Sequence, residues 1–195
     1  MRTLCSFAAA VVATAVIAAG QSHPSLEGLT DLAGRPKDPF QSGATARVFL
    51  FVRSDCPITN RYAPELRRVN NEFTARGVEF WLVYPDPVEN AASIEKHLAE
   101  YRLPGTPLRD PRHSLVTRAQ ASVSPSAAVF DSSGQLVYSG RIDDRYIDFG
   151  KSRPSATSHD LEAAVSSVLA HKPIAASRTK AIGCYLSDIG PANIK

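Results

Sequence analysis

Two predominantly apolar runs, RVFLFV from Arg47 to Val52 and VEFWLVY from Val78 to Tyr84, bracket a segment whose apolar residues recur at helical spacing. Short runs of β-branched, aromatic and aliphatic residues read as buried strands, because a solvated face would impose alternation. Between them, Ile58, Tyr62, Leu66, Val69 and Phe73 fall at intervals of 4, 4, 3 and 4, which is one stripe of an α-helix. Pro64 falls inside that helix and should kink it, and Gly77 ends it. A strand, a helix and a second buried strand form a crossover unit, and its sheet must be covered on both faces.

The rest of the chain extends this unit. Ile94, Leu98 and Tyr101 mark a helix within residues 88–103, broken by Pro104, Gly105 and Pro107. A short strand near Leu108 and a helix from about Arg112 to Ala121 follow. SAAVFD (Ser126 to Asp131), the turn Ser132–Ser133–Gly134 and QLVYSGR (Gln135 to Arg141) predict a β-hairpin. A last helix is expected from about Ser158 to His171, with Leu161, Ala164, Val165, Val168 and Leu169 on one face. Ahead of the first buried strand, Leu26 to Phe40 reads as a short hairpin turning at Gly34. The expected class is α/β: a mixed central β-sheet flanked by helices on both faces.

The N-terminus reads as an address. Arg2 precedes an uncharged run from Leu4 to Ala19, which ends in Ala18, Ala19 and Gly20. That run is short for a membrane span and fits a secretory signal peptide cleaved near Gly20–Gln21. The expected organisation is a signal peptide over 1–20, an N-terminal segment over 21–44, one domain over 45–172 and a tail over 173–195. Contact with a membrane is expected only through the signal peptide, were it to stay uncleaved. The destination is a bacterial periplasm or beyond, where disulfides persist. With a net charge of +3 and 22 scattered Lys and Arg, the chain has no footprint of a nucleic-acid partner.

Of three cysteines, the mature chain keeps Cys56 and Cys184. Cys56 lies where a buried strand ends and a helix begins, with Pro57 at the first helical position. Unpaired N–H groups and the helix dipole favour an anion there, so a thiolate is stabilised. Arg53 and Arg61 would add to this and Asp55 would oppose it. The carboxyl ends of strands are also where α/β sheets gather ligands. The expectation is a sulfur in an electropositive notch open to solvent; the other reading of Cys56 is a small buried hydrophobe.

The segments FVRSDCPITNRYAPEL and VSPSAAVFDSSGQLVYSGRIDD, with the order of elements, resemble a thioredoxin-fold redoxin, in the broad class of peroxiredoxins and exported thiol–disulfide proteins. The resemblance covers about residues 26–172. It implies a thioredoxin-like fold, with Cys56 as the nucleophilic cysteine, Pro64 as the helix-kinking proline and Pro125 as a cis-proline that packs beside the active sulfur and shapes a substrate groove. Thr59 stands where the second cysteine of a CxxC motif would be. Arg53 occupies a position that peroxiredoxins fill with Ser or Thr, and Asn60 replaces the second cysteine of copper-delivery relatives. GRIDD and the Gly183–Cys184 pair in the tail resemble a bacterial subgroup with a C-terminal cysteine.

Cys184 decides what the pair can do. Gly183 before it and Gly190–Pro191 after it suggest a segment that can bend. A second thiol within reach could resolve a mixed disulfide or sulfenic acid at Cys56. A permanent bridge, and two cysteines that never meet, are the other arrangements. Thr59 reads either as a hydroxyl donor to the thiolate or as a helix-surface residue. The implied activity is thiol–disulfide exchange by Cys56, Cys184, Thr59 and Pro125, on a thiol or disulfide protein or a small-molecule oxidant. No organic cofactor is implied, because the cysteines carry the electrons. The alternatives are a thiol peroxidase with an antioxidant role, and a non-catalytic module binding copper or an envelope redox partner. His97 and His171 read as surface residues, and a copper site would need His159 brought to Cys56 by the loop 146–158. The cluster RIDDRY (Arg141 to Tyr146) reads as a salt-bridge cluster in preference to a binding site.

Overall fold

The first apolar run forms the central strand β1 (Ala46–Phe51) of a computed structural model that describes residues 26–186. After it come α1 (Pro57–Thr74), β2 (Val78–Tyr84), α2 (Ala91–Tyr101), β3 (Thr106–Arg109) and α3 (Ser114–Ala119). The chain continues through β4 (Val123–Ser124), β5 (Ser126–Asp131), β6 (Leu136–Gly140), β7 (Tyr146–Asp148), β8 (Lys151–Ser152), α4 (Asp160–Leu169) and β9 (Cys184–Tyr185). The five-stranded sheet runs β3-β2-β1-β5-β6. Its β1, β2 and β3 are parallel, and β5 and β6 are antiparallel additions.

Period-two alternation along β1 sorts its side chains onto two faces. Ala46, Val48 and Leu50 pack with Leu66, Val69 and Phe73 of α1, Ile94 of α2, and Leu161 and Val165 of α4. Phe49 and Phe51 pack on the other side with Leu115, Val116 and Ala119 of α3, together with Leu29 and Leu186. Helices therefore cover both faces, as the buried runs require. Among the described residues no helix is long and apolar enough to cross a membrane.

Arg47 also lies on the α3 face, only 1% exposed. It donates to Pro39 O (2.9 Å), Asp131 O (3.3 Å), Ser42 Oγ (3.1 Å) and the Ser42 carbonyl, and its guanidinium lies over Phe40. It thereby ties the N-terminal segment to the sheet. Arg47→Met should lower the free energy of urea unfolding by about 2–4 kcal/mol. Arg47→Lys should not restore it, because an ammonium cannot reproduce the fork. A loss below about 1 kcal/mol would show that these bonds merely replace water.

Several expectations are corrected. The short hairpin does turn at Gly34, held by one antiparallel bridge, Thr30 to Pro36, but Thr30 also pairs with Arg109 at the edge of β3. Residues 146–158, read as a polar loop, contain the β7–β8 ribbon turning at Gly150 (φ +73°). His97 is not a surface residue. It is 3% exposed, with Nδ1 at 2.9 Å from Tyr84 OH and Nε2 at 2.8 Å from Asn60 Oδ1.

The tail is likewise docked rather than free to bend. Ser139 N donates to Ser177 O, Thr179 N to Ser139 O and Leu186 N to Ser122 O. β9 pairs antiparallel with β4, matching Ser124 to Cys184. Residues 1–20, read as a signal peptide, and Gly190–Pro191 lie outside the described residues.

The RIDDRY cluster is an architectural knot. Arg141 pairs with Asp160 at 2.8 Å. Buried Asp143 accepts from Tyr62 OH and Arg145 N. Asp144 accepts from Thr157 N, Thr157 Oγ1 and Ser158 N, and these donors hold its carboxyl well below the usual range.

Candidate functional site

β1 delivers the chain to a short turn, Arg53 to Asp55, and Cys56 becomes the N-cap of α1 with extended backbone angles (φ −86°, ψ 110°). Pro57 follows at the first helical position and no acidic residue lies in the first turn, so the amide end of the helix is left to the sulfur. Two groups that the sequence did not single out fix the turn. Ser124 Oγ accepts from Arg53 N at 2.9 Å, and Glu89 Oε1 accepts from Ser54 N at 2.8 Å. The only sequence signal for Ser124 is its place before Pro125. Burial is the foremost influence on Glu89 and pushes its carboxyl up.

The peptide bond Ser124–Pro125 is cis, as the resemblance implies. Ser124 O accepts from Cys56 Sγ at 3.0 Å. Thr59 is fully buried, and its hydroxyl is 2.9 Å from Ser124 Oγ; the surface reading of Thr59 is therefore excluded. Cys184, held opposite Ser124 by the β4–β9 pairing, places its Sγ 2.7 Å from Cys56 Sγ. No disulfide joins the two cysteines in this structure, and their sulfurs are in contact. All four sequence-selected residues, Cys56, Thr59, Pro125 and Cys184, thus belong to one neighbourhood.

The expectation of a solvent-open notch is overturned. Cys56 is 0% exposed, and Cys184, half-buried, lies against it. The physical cause is the tail: β9 occupies the edge of β4, beside Pro125, where a groove was expected. Gly183 makes this approach possible, because a Cβ there would lie 2.1 Å from Ser124 O. A cavity of about 410 Å³ lies along β9, lined by Gly183 and Tyr185 but not by Cys184.

The proton balance of the two sulfurs is unequal. Burial pushes Cys56 up, but the donating Cys184 thiol, together with the nearby amides of Thr59 and Cys184 and the Thr59 hydroxyl, outweighs it, so the thiol is lowered. Cys184 is pushed up to about 12 by burial and by its bond to Cys56. Arg53 does not take the role expected of it. It is engaged by Asp55 at 3.0 and 2.8 Å and donates to Tyr185 O at 2.7 Å, which pins β9. Arg61 is exposed on α1.

His159 does not join the cysteines. Its Nδ1 lies 3.8 Å from Glu65 Oε1. Among the described residues, the one His, Cys, Asp and Glu grouping tight enough to share an ion is Glu65, His159 and Glu162. Arg68 already supplies a cation there, bonded to Glu65, Glu72 and Glu162.

Solved structures place this arrangement among known folds. The chain is similar to a hypothetical protein of Sinorhizobium meliloti 1021, with 24% identity over 81% of this chain and 88% of that one and a TM-score of 0.68. It is similar to an uncharacterized conserved protein of Geobacillus kaustophilus, with 24% identity over 82% and 86% and a TM-score of 0.69. It also shares its fold with a protein of Chlorobium tepidum named for thiol:disulfide interchange (DsbE), at 17% identity over 65% and 82% and a TM-score of 0.51. A search of curated proteins gave no match. A sequence profile described as the AhpC/TSA family matches residues 21–139, from before β1 to the penultimate residue of β6 and ahead of the segment that carries Cys184. With well over half its length matched and a thioredoxin-like sheet around the cysteine at the head of α1, the chain belongs to the AhpC/TSA family.

Proposed function

We propose that the protein is an exported thiol–disulfide oxidoreductase whose working groups are Cys56 and Cys184. The observation that carries this reading is the 2.7 Å contact between two free sulfurs, one at a helix N-terminus and one on a separate strand. Closing that contact to a bond of about 2.05 Å requires only a small shift. Export rests on the leader-like residues 1–20, and substrates are thiol or disulfide proteins.

In the reducing direction, the Cys56 thiolate attacks one sulfur of a substrate disulfide, and the other leaves as a thiolate and takes up a proton. Cys184 then gives up its proton and attacks the Cys56 sulfur of the mixed disulfide. The Cys56–Cys184 bond forms and the second substrate thiol is released. Two electrons pass from the cysteine pair to the substrate. Thr59 and the first-turn amides hold the Cys56 charge, and Ser124–Pro125 positions the sulfur. Access to Cys56 requires β9 to lift, and its pairing with β4 spans only two residues on each strand.

Membership of the AhpC/TSA family favours a second reading, a thiol peroxidase. There the Cys56 thiolate would take an oxygen from a hydroperoxide, releasing water or an alcohol, and Cys184 would displace water from the resulting sulfenic acid.

Cys184→Ser separates these readings. Exposed to a disulfide reagent, the variant should accumulate a stable mixed disulfide at Cys56 that the wild type clears. Exposed to peroxide, it should not build up sulfenic acid. Sulfenic acid without mixed disulfides would select the peroxidase. Neither product, with Cys56 alkylating as an ordinary thiol, would leave a non-catalytic module that binds copper or an envelope redox partner.

A further inference from the structure

We propose that electrons return to the oxidised pair through Cys184: a donor dithiol attacks the Cys184 sulfur, and Cys56 departs as the leaving group. The inference rests on the cysteine-pair reading above and adds the direction of entry. An incoming thiolate must reach the sulfur it attacks. Cys56 has no exposed surface, enclosed by Ser124, Thr59 and Cys184. Cys184 keeps part of its surface on a strand whose next residue, Tyr185, is 70% exposed. In the oxidised chain the new bond itself holds β9 down, so Cys56 stays covered for as long as the disulfide exists.

The leaving group argues the same way. A departing thiolate leaves faster when its charge is stabilised. Cys56 departs at the N-cap of α1, beside Thr59, whereas Cys184 leaves from a strand, where burial is the foremost influence and pushes its thiol up. Expelling Cys184 instead would place charge on the worse-stabilised sulfur and require attack on the covered one.

The step balances as follows. The donor thiolate forms a bond to Cys184 Sγ as the Cys184–Cys56 bond breaks, and the electron pair of that bond stays on Cys56. The second donor thiol then loses its proton and attacks the donor sulfur of the mixed disulfide. Cys184 is expelled and takes up that proton. The donor ends as a disulfide and the protein as a dithiol.

A monothiol probe exposes the first bond, because it lacks the second thiol. Oxidised wild-type protein is mixed with glutathione, quenched in acid over a series of short times, alkylated and mapped by peptide mass. Extrapolated to zero time, glutathione should be on Cys184 and the alkyl group on Cys56, in about tenfold or greater excess over the reverse. A disulfide that forms but takes glutathione first on Cys56 overturns the inference and leaves the oxidoreductase reading intact. Failure of the oxidised protein to form a Cys56–Cys184 bond removes both.

Discussion

Gly183→Val should uncouple the two cysteines while leaving the central sheet folded. A Cβ at this position would meet Ser124 O at 2.1 Å, Ser124 C at 2.6 Å and Pro125 N at 3.1 Å, all backbone atoms that cannot swing aside. The strand that carries Cys184 must then leave β4. With it go the Leu186 N to Ser122 O bond and the bond from Arg53 to Tyr185 O. Leu186, 1% exposed in the docked state, loses its burial, worth about 1.5–3 kcal/mol. Disulfide closure changes from a reaction between atoms already in contact to one between the ends of a loose segment. Oriented intramolecular reactions owe many orders of magnitude to such placement, so closure should slow by about 100-fold or more. Alkylation of reduced Cys56 should accelerate in the same variant because its cover has gone. Both rates are measurable by timed thiol trapping. Wild-type closure with Cys56 still protected would mean that the close approach at Gly183 does not hold the pair together.

This dependence divides the molecule into a frame and a strap. The family match ends at residue 139, and what it spans supplies the N-terminus of α1, the cis-proline and Ser124. The second sulfur comes from beyond it, carried by a segment that runs past Ser139 and then along β4. The frame has no second cysteine at position 59, where Thr59 stands. The strap supplies the thiol from outside the helix and covers the first sulfur in doing so. Concealment of Cys56 and placement of a second sulfur beside it are thus consequences of one docking event.

The sequence revealed the frame far better than the strap. VEFWLVY and SAAVFD coincide with β2 and β5 residue for residue, since a short, mostly apolar run has few homes other than a buried strand. The stripe from Ile58 to Phe73 became the buried face of α1. The pairs Val123–Ser124 and Cys184–Tyr185 are too short to show any period, so β4 and β9 were invisible although they bring the sulfurs together. Gly183 was read through flexibility, but its role is the missing Cβ. His97 misled through its polarity. It lies three residues after Ile94, on the stripe that α2 buries, and it is accommodated because Tyr84 and Asn60 satisfy both ring nitrogens.

Replacing Cys184 by alanine should move the titration of Cys56 to higher pH. In the reduced protein, burial pushes the Cys56 thiol up, but the Cys184 thiol is the foremost of the donors that outweigh it. Cys184 is pushed up to about 12, so over the interval between the two the pair keeps one proton on Cys184 and the charge on Cys56. An unfolded thiol titrates near 8.5. Cys56, lowered in the fold, contributes stability that is present above that value and lost as pH falls through its folded value. Cys184, raised in the fold, contributes stability that is complete below about 8.5 and withdrawn as pH climbs toward about 12. The contribution of the pair therefore falls away on both sides, and Cys184→Ala removes the alkaline limb. It also deletes a hydrogen bond to a charged acceptor, a loss of about 1.5–3 kcal/mol, which is about tenfold or more in the thiolate population at neutral pH. The pH at which the iodoacetamide alkylation rate of Cys56 inflects reports this shift separately from any change in access. An inflection that stays in place or moves down would mean that Thr59 and the head of α1 hold the charge without Cys184, and the two sulfurs would then be neighbours that share no proton.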